Sequence, residues 1–140
     1  MSDKFYLDHF VTKHQEDYET ALSEIQQGKK QSHWMWYIFP QLKGLGKSDR
    51  AEFYGIASLP EAVAFLQHPL LGSHLKEITT ALLPQTATAR EIFGKPDDRK
   101  LHSSMTLFAL VEDDSLFQDV LDKFFAGVYD EKTLKLLGIR

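Results

Sequence analysis

Apolar residues return at helical spacing through nearly every segment of this chain, and each run is closed by a cap or a breaker. From Glu16 to Gln27, Tyr18, Ala21, Leu22 and Ile25 fall at i, i+3, i+4 and i+7, and Gly28 stands where a left-handed residue ends a helix. Before it, Lys4 to Thr12 places Leu7, Phe10 and Val11 on one face and predicts a separate short helix. Ser58-Leu59-Pro60-Glu61 and Thr88-Ala89-Arg90-Glu91 share a spacing in which hydroxyl and carboxylate satisfy the orphan N–H groups of a helix start. They predict helices over Leu59 to Gln67 and just ahead of Gly94. Pro69 opens another, with Leu71, Leu75, Ile78 and Leu82 in one stripe and Pro84 as its stop. Ser48 caps Asp49 to Tyr54. Asp97 and Asp98 favour the positive end of a helix dipole, and Leu101, Met105 and Phe108 line that helix's inner face. Asp113 or Asp114 begins a helix with Phe117, Val120, Leu121 and Phe124 inward and Gly127 at its end, and Asp130 to Leu137 forms the last.

No Asn-Gly or Asp-Gly hairpin interrupts this pattern, and Val is scarce. The expectation is an all-α fold, one compact domain over residues 1–140 with seven or eight short helices and no linker or repeat. His33 to Phe39 is the ambiguous stretch. It reads as two helical turns capped by Ser32 and stopped by Pro40, or as a buried strand; the lack of a partner strand favours the helix.

With 43% apolar residues the chain can bury enough surface to fold unaided. Neither Cys nor Asn occurs, which removes disulfides, thiolate zinc sites, Cys nucleophiles and N-glycosylation sequons together. Without a signal-like start or a membrane-length apolar run, the expected location is cytoplasmic, with no membrane partner.

The net charge of −4 argues against general nucleic-acid binding, which draws its affinity from cations on phosphates. One segment departs from that average. Between Lys29 and Arg50 lie Lys29, Lys30, Lys43, Lys47 and Arg50 against Asp49 alone, together with Trp34, Trp36, Tyr37 and Phe39. Aromatic faces beside cations can stack a ring and hold phosphate or carboxylate, or the rings can be core with the lysines at its rim.

Gly46-Lys47-Ser48 resembles the end of a phosphate-binding P-loop, but the required first glycine is Gln41 and no parallel sheet is expected. The same residues could form an anion-binding helix start or a plain one. None of the six histidines has metal-ligand spacing, so neither metal nor cofactor is expected. His33 lies within the basic aromatic segment and could move a proton at neutral pH. A second polar concentration runs from Asp97 to Thr106, where Lys100 and Ser104, four residues apart, could face one ligand with Ser103 beside them, or the hydroxyls could serve close packing.

The run from Gly28 through His33-Trp34-Met35-Trp36-Tyr37-Ile38-Phe39-Pro40-Gln41 to Ser48 resembles the signature of the DUF 1810 family of small bacterial and fungal proteins. His68-Pro69-Leu70-Leu71-Gly72, Ala89-Arg90-Glu91-Ile92-Phe93-Gly94 and Asp97 to Phe108 are similar to the same family in the same order, so the resemblance covers nearly the whole chain. It implies a single all-helical domain and brings no reaction. The label calpastatin sometimes attached to the family describes a long disordered inhibitor, unlike this globular composition. Gly55 stands where relatives usually carry Ala, a change expected to loosen the end of the Asp49–Tyr54 helix.

Two functions follow. The first is binding of a small phosphorylated ligand, nucleotide-like or related to ADP-ribose, in a basic Trp-lined cleft. Lys30, Lys47 and Lys100 would hold its oxygens, Trp34 or Trp36 its ring, with Ser32, Gln41, Ser48, Ser103 and Ser104 lining the site. An enzyme on this plan would be a hydrolase moving a proton through His33 or Asp98. The alternative is a non-catalytic interaction module, or a homo-oligomer, that docks through the Trp-rich segment. Everything depends on the thirties and the region near residue 100 meeting across one concave wall.

Overall fold

The computed structural model describes residues 5–139, which leaves Lys4 of the first expected helix outside the described residues. Nine helices and no strand occur among the described residues, two more than the lower expected count. They are α1 (Asp8–Gln26), α2 (Met35–Ile38), α3 (Asp49–Tyr54), α4 (Leu59–Gln67), α5 (Pro69–Thr80), α6 (Ala89–Phe93), α7 (Asp97–Val111), α8 (Leu116–Phe125) and α9 (Glu131–Leu136).

The two helices expected at the N-terminal end are one. In α1 the buried stripe is Phe10, His14, Tyr18, Ala21 and Ile25, so a histidine fills the position that breaks the apolar period in the sequence. Gly28 then ends it with φ +83°, in the left-handed region. The local signals held where they were most specific. Ser48, Ser58 and Thr88 each accept from a backbone N–H three residues on, and Thr88 with Glu91 forms a complete capping box. At Ser58 the return arm reaches one residue further back, Glu61 accepting from the Ala57 amide at 2.7 Å. His68 caps α5 with its Nδ1, which accepts from Leu70 and Leu71. Of the ambiguous stretch, only Met35–Ile38 is helical, and no side chain caps it.

α7 is the centre of the molecule. It packs on α4, α6, α8 and α9, and every residue from Leu101 to Phe108 except His102 is buried. Its neighbours supply the aromatic core: Phe65 and Phe117 meet Phe108, and α1 reaches the same core when Phe10 packs edge-on to Phe65. A parallel bridge of Leu42, before α3, to Ile56, after it, pins the loop of Gln41 to Gly46. Its bonds are Lys43 N to Ile56 O at 2.8 Å and Ile56 N to Gln41 O at 2.9 Å. Gly55 does not sit in the helix interior. It follows α3 in extended backbone, and a Cβ there would lie 2.7 Å from the Lys43 Cα, so its role is close approach to this loop rather than helix propensity. No described helix is long and apolar enough to cross a membrane.

The corner between α4 and α5 leaves less room for a Cβ than any other glycine position described. A Cβ on Gly72 would stand 1.9 Å from the backbone oxygen of Leu66, which cannot rotate away. Gly72→Ala is therefore expected to lower stability by roughly 1–3 kcal/mol or more, read as a fall in denaturation midpoint. An unchanged midpoint would contradict the packing described.

Candidate functional site

The segment after α1 is folded by one carboxylate. Glu24 accepts from the Gln31 amide at 2.8 Å, the Ser32 amide at 3.0 Å, the Ser32 hydroxyl at 2.6 Å and the Trp34 indole N–H at 2.9 Å. Burial pushes the Glu24 carboxyl up, and these hydrogen bonds more than reverse it, holding the group below its ordinary value. Trp34 is 1% exposed, with its ring against Phe39 and Phe93. Two expected ligand contacts are thereby corrected. The Ser32 hydroxyl is spent on Glu24, and Trp34 has no free face for a ring.

Lys30 is corrected for the same reason. Its side chain is 7% exposed, its ammonium lies 2.9 Å from Asp97 Oδ2 and donates to the Ser32 carbonyl, and it stands over the Trp34 ring. The other oxygen of Asp97 lies 3.4 Å from the Lys100 ammonium, which itself sits 4.2 Å from the centre of the Trp36 ring. The Arg50 guanidinium is 5.1 Å from the same ring. The thirties and the start of α7 therefore meet through the chain Lys30–Asp97–Lys100–Trp36–Arg50. Asp97, which the sequence offers only as a helix-start carboxylate, is its middle member.

Beside this chain lies a cleft of about 480 Å³ lined by Gln41, Leu45, Gly46, Pro96, Arg99, Lys100, His102, Ser103, Asp130, Glu131 and Lys132. Gln41, Lys100 and Ser103 are the expected residues that it collects. Arg99 and His102, from the polar run of Asp97 to Thr106, join them, as does Lys132, which the sequence does not signal because α9 is distant along the chain. Its walls are fixed. Asp130 Oδ2 accepts from the Thr133 amide and hydroxyl and from the Ser103 hydroxyl at 3.2 Å, tying α9 to α7. His102 stacks on Phe125 at 4.2 Å, and its Nε2 donates to the Val128 carbonyl at 2.6 Å.

The remaining expected residues lie elsewhere. Ser104 is fully buried, so it does not share a ligand with Lys100, and the close-packing reading holds. Asp98 Oδ1 accepts from the Arg99 amide, and Asp98 does not line this cleft. Lys47 and Ser48 are exposed and also stand outside it, with Ser48 capping α3 as a plain helix start. His33 lines a different cleft, also about 480 Å³, with Lys13, Tyr37, Asp49, Arg50, Phe53 and Tyr54. Between the two clefts, Trp36, Gln41, Tyr54 and Lys100 border a narrow notch. No group of three or more His, Asp or Glu residues suited to a metal occurs among the described residues.

A second polar cluster, which the sequence does not signal, lies within the α1–α5 interface. His14 Nε2 is 2.8 Å from the Tyr37 carbonyl oxygen, so that nitrogen carries the hydrogen and Nδ1 accepts. The His74 Nδ1, 3.0 Å away, must then be the donor, which leaves the His14 ring neutral. Tyr18 stacks on His74 at 3.6 Å and donates to Glu77 at 2.6 Å. Burial first, and the hydrogen bond to Glu77 second, push the Tyr18 hydroxyl far up.

A family model described as "Protein of unknown function (DUF1810)" matches residues 4–137 of the chain. Among solved structures, the crystal structure of the conserved hypothetical protein Rv1873 from Mycobacterium tuberculosis is similar, with 46% sequence identity and a TM-score of 0.94. The match covers 99% of this chain and 100% of that one. No curated protein matches the chain.

The histidine pair has a consequence for acid stability. Burial lowers the His14 pKa from 6.5 to about 4, so between these values the unfolded chain binds a proton that the folded one excludes. Its contribution is complete above about pH 6.5 and is lost as pH falls toward about 4, an effect of roughly 3 kcal/mol. Urea denaturation from pH 7 to 4.5 should show this slope in the wild type and a smaller one in His14→Gln. Equal slopes would contradict a neutral buried His14.

Proposed function

The chain belongs to the family of proteins of unknown function DUF1810, and, since that membership carries no activity, we propose from the site itself that it binds a small phosphorylated ligand in the cleft between α7 and α9. The observation that carries the reading is Lys100. Its ammonium is held between the Asp97 carboxylate and the Trp36 face at the edge of a cleft that Arg99 and Lys132 also line. Gln41 and Ser103 add neutral polar groups to the same wall. About 480 Å³ suits a small molecule rather than a protein loop. Of the two acids in the lining, Asp130 and Glu131, the first is already engaged by Thr133 and Ser103, which weakens its opposition to an anion.

A nucleotide or an ADP-ribose derivative is the proposed class, held through its phosphates. The role is binding rather than hydrolysis, because neither His33 nor Asp98, the two proton carriers considered, lines this cleft. Association through an indole patch is less well supported, since Trp34 is buried and Trp36 is half-buried beneath two cations.

ADP-ribose and pyrophosphate at millimolar concentration should raise the melting temperature of the wild type; saturation at 100 times the dissociation constant corresponds to about 2.7 kcal/mol. Lys100→Ala should weaken binding by about 10- to 100-fold, the range for a lost hydrogen bond to a charged group. Lys47→Ala, outside the cleft, should leave it unchanged. Equal loss in both variants, or no stabilisation by either ligand, would overturn the reading.

A further inference from the structure

The cleft on the Arg50 side of Trp36 is built differently from the one between α7 and α9. Its wall is aromatic. Phe53 is 61% exposed although it is a large apolar ring, and it is held edge-on to Tyr54 at 4.8 Å and to His9 at 5.1 Å. Tyr6, 72% exposed, extends this ledge by stacking on His9 at 5.8 Å. The Tyr37 ring closes the inner side, its hydroxyl donating to Asp17. Cations border the same space: Arg50 lies one helical turn before Phe53 on α3, and Lys13 approaches from α1, 5.7 Å from the centre of the Tyr37 ring. His33, exposed at the rim, adds an imidazole.

The carboxylates nearby offset part of this charge: Glu16 lies 3.4 Å from the Lys13 ammonium, Asp17 accepts from the Tyr37 hydroxyl and Asp49 lines the cleft, so an anion there would rest chiefly on Arg50. A ring face left in water beside an exposed guanidinium is an arrangement that takes a flat ring bearing a negative group, because stacking and charge pairing act on one molecule together. The α7–α9 cleft lacks such a platform, since its one lining ring, His102, is already stacked on Phe125.

We infer that the Phe53–Arg50 cleft is a second ligand site, which binds a planar aromatic anion of the nucleoside monophosphate class, the ring against Phe53 and Tyr54 and the anion toward Arg50 and Lys13. The volume of about 480 Å³ matches one such molecule. This site does not depend on the reading of the α7–α9 cleft. The two are separable because only one lining set contains Phe53 and Arg50, and only the other contains Lys100 and Ser103.

The test is an NMR titration of the full chain with three probes: adenosine monophosphate, adenosine and ribose 5-phosphate. Adenosine monophosphate should shift the resonances of His33, Arg50, Phe53 and Tyr54 saturably, and binding there should be at least tenfold weaker for adenosine, which lacks the charge, and for ribose 5-phosphate, which lacks the ring. Phe53→Ala and Arg50→Ala alter exposed positions and should each weaken adenosine monophosphate at least tenfold while the melting temperature stays near that of the wild type. The inference is overturned if these resonances do not move at 10 mM, if ribose 5-phosphate binds as well as the nucleotide, or if both variants bind as the wild type does. Shifts confined to Arg99, Lys100 and Ser103 would also overturn it, while supporting the other cleft.

Discussion

The Asp97 carboxylate, shared between two lysines, is the contact on which the arrangement of this molecule depends. One oxygen meets Lys30 at the end of a loop leaving α1, and the other meets Lys100 one turn further along α7. Lys30 is nearly buried, and a buried pair recovers little net free energy after both charges are desolvated. Its effect is on position. A loop that carries Lys30 elsewhere would leave Asp97 to Lys100 alone and lose the ammonium's bond to the Ser32 carbonyl, so the pair favours one path for the segment. Glu24 acts on the same segment from the other side through four hydrogen bonds. Between them the two acids turn a polar, Gly-preceded stretch into a fixed wall.

From that wall the rest of the site follows. With Trp34 locked inward, Trp36 is carried to the surface of α2 and lies under Lys100 and Arg50, the cations that border the two clefts. Since the two charges are 4.2 and 5.1 Å from one ring, they are at most about 9.3 Å from each other. A half-buried indole thus separates a polar cleft with several donors from an aromatic one. The difference between the clefts comes from what stands behind each: α7 and α9 supply lysine, arginine and serine, whereas α2 and α3 supply rings.

Much of the fold was legible because its signals are local. Ser48, Ser58, Thr88 and Asp130 cap helices through contacts three residues long, and the stripe Leu71, Leu75, Ile78 and Leu82 is fully buried as its spacing requires. The pattern of α1 reads as two helices because His14 occupies a core position that distant partners, the Tyr37 carbonyl and His74, make tolerable. The site was less legible for the same reason. The meeting of the thirties with α7 could be expected from charge and aromatic content, but which residues would remain available could not. Lys30, Ser32 and Trp34 carry the right chemistry and are consumed by Asp97, which reads in sequence as a helix start, and by Glu24, which no motif marks. Lys132 joins Arg99 and Lys100 only once α9 is tied to α7 through Asp130.

The two tryptophans allow the central claim to be read directly. In a ¹H–¹⁵N spectrum of the whole chain each indole N–H gives one signal, and pyrophosphate drawn to Lys100 must disturb the charge lying over Trp36 while leaving the Trp34 bond to Glu24 intact. The expected result is a saturable shift of the Trp36 indole with Trp34 unmoved. A titration in which the Trp36 signal stays fixed, or in which both indoles move together, would contradict the account.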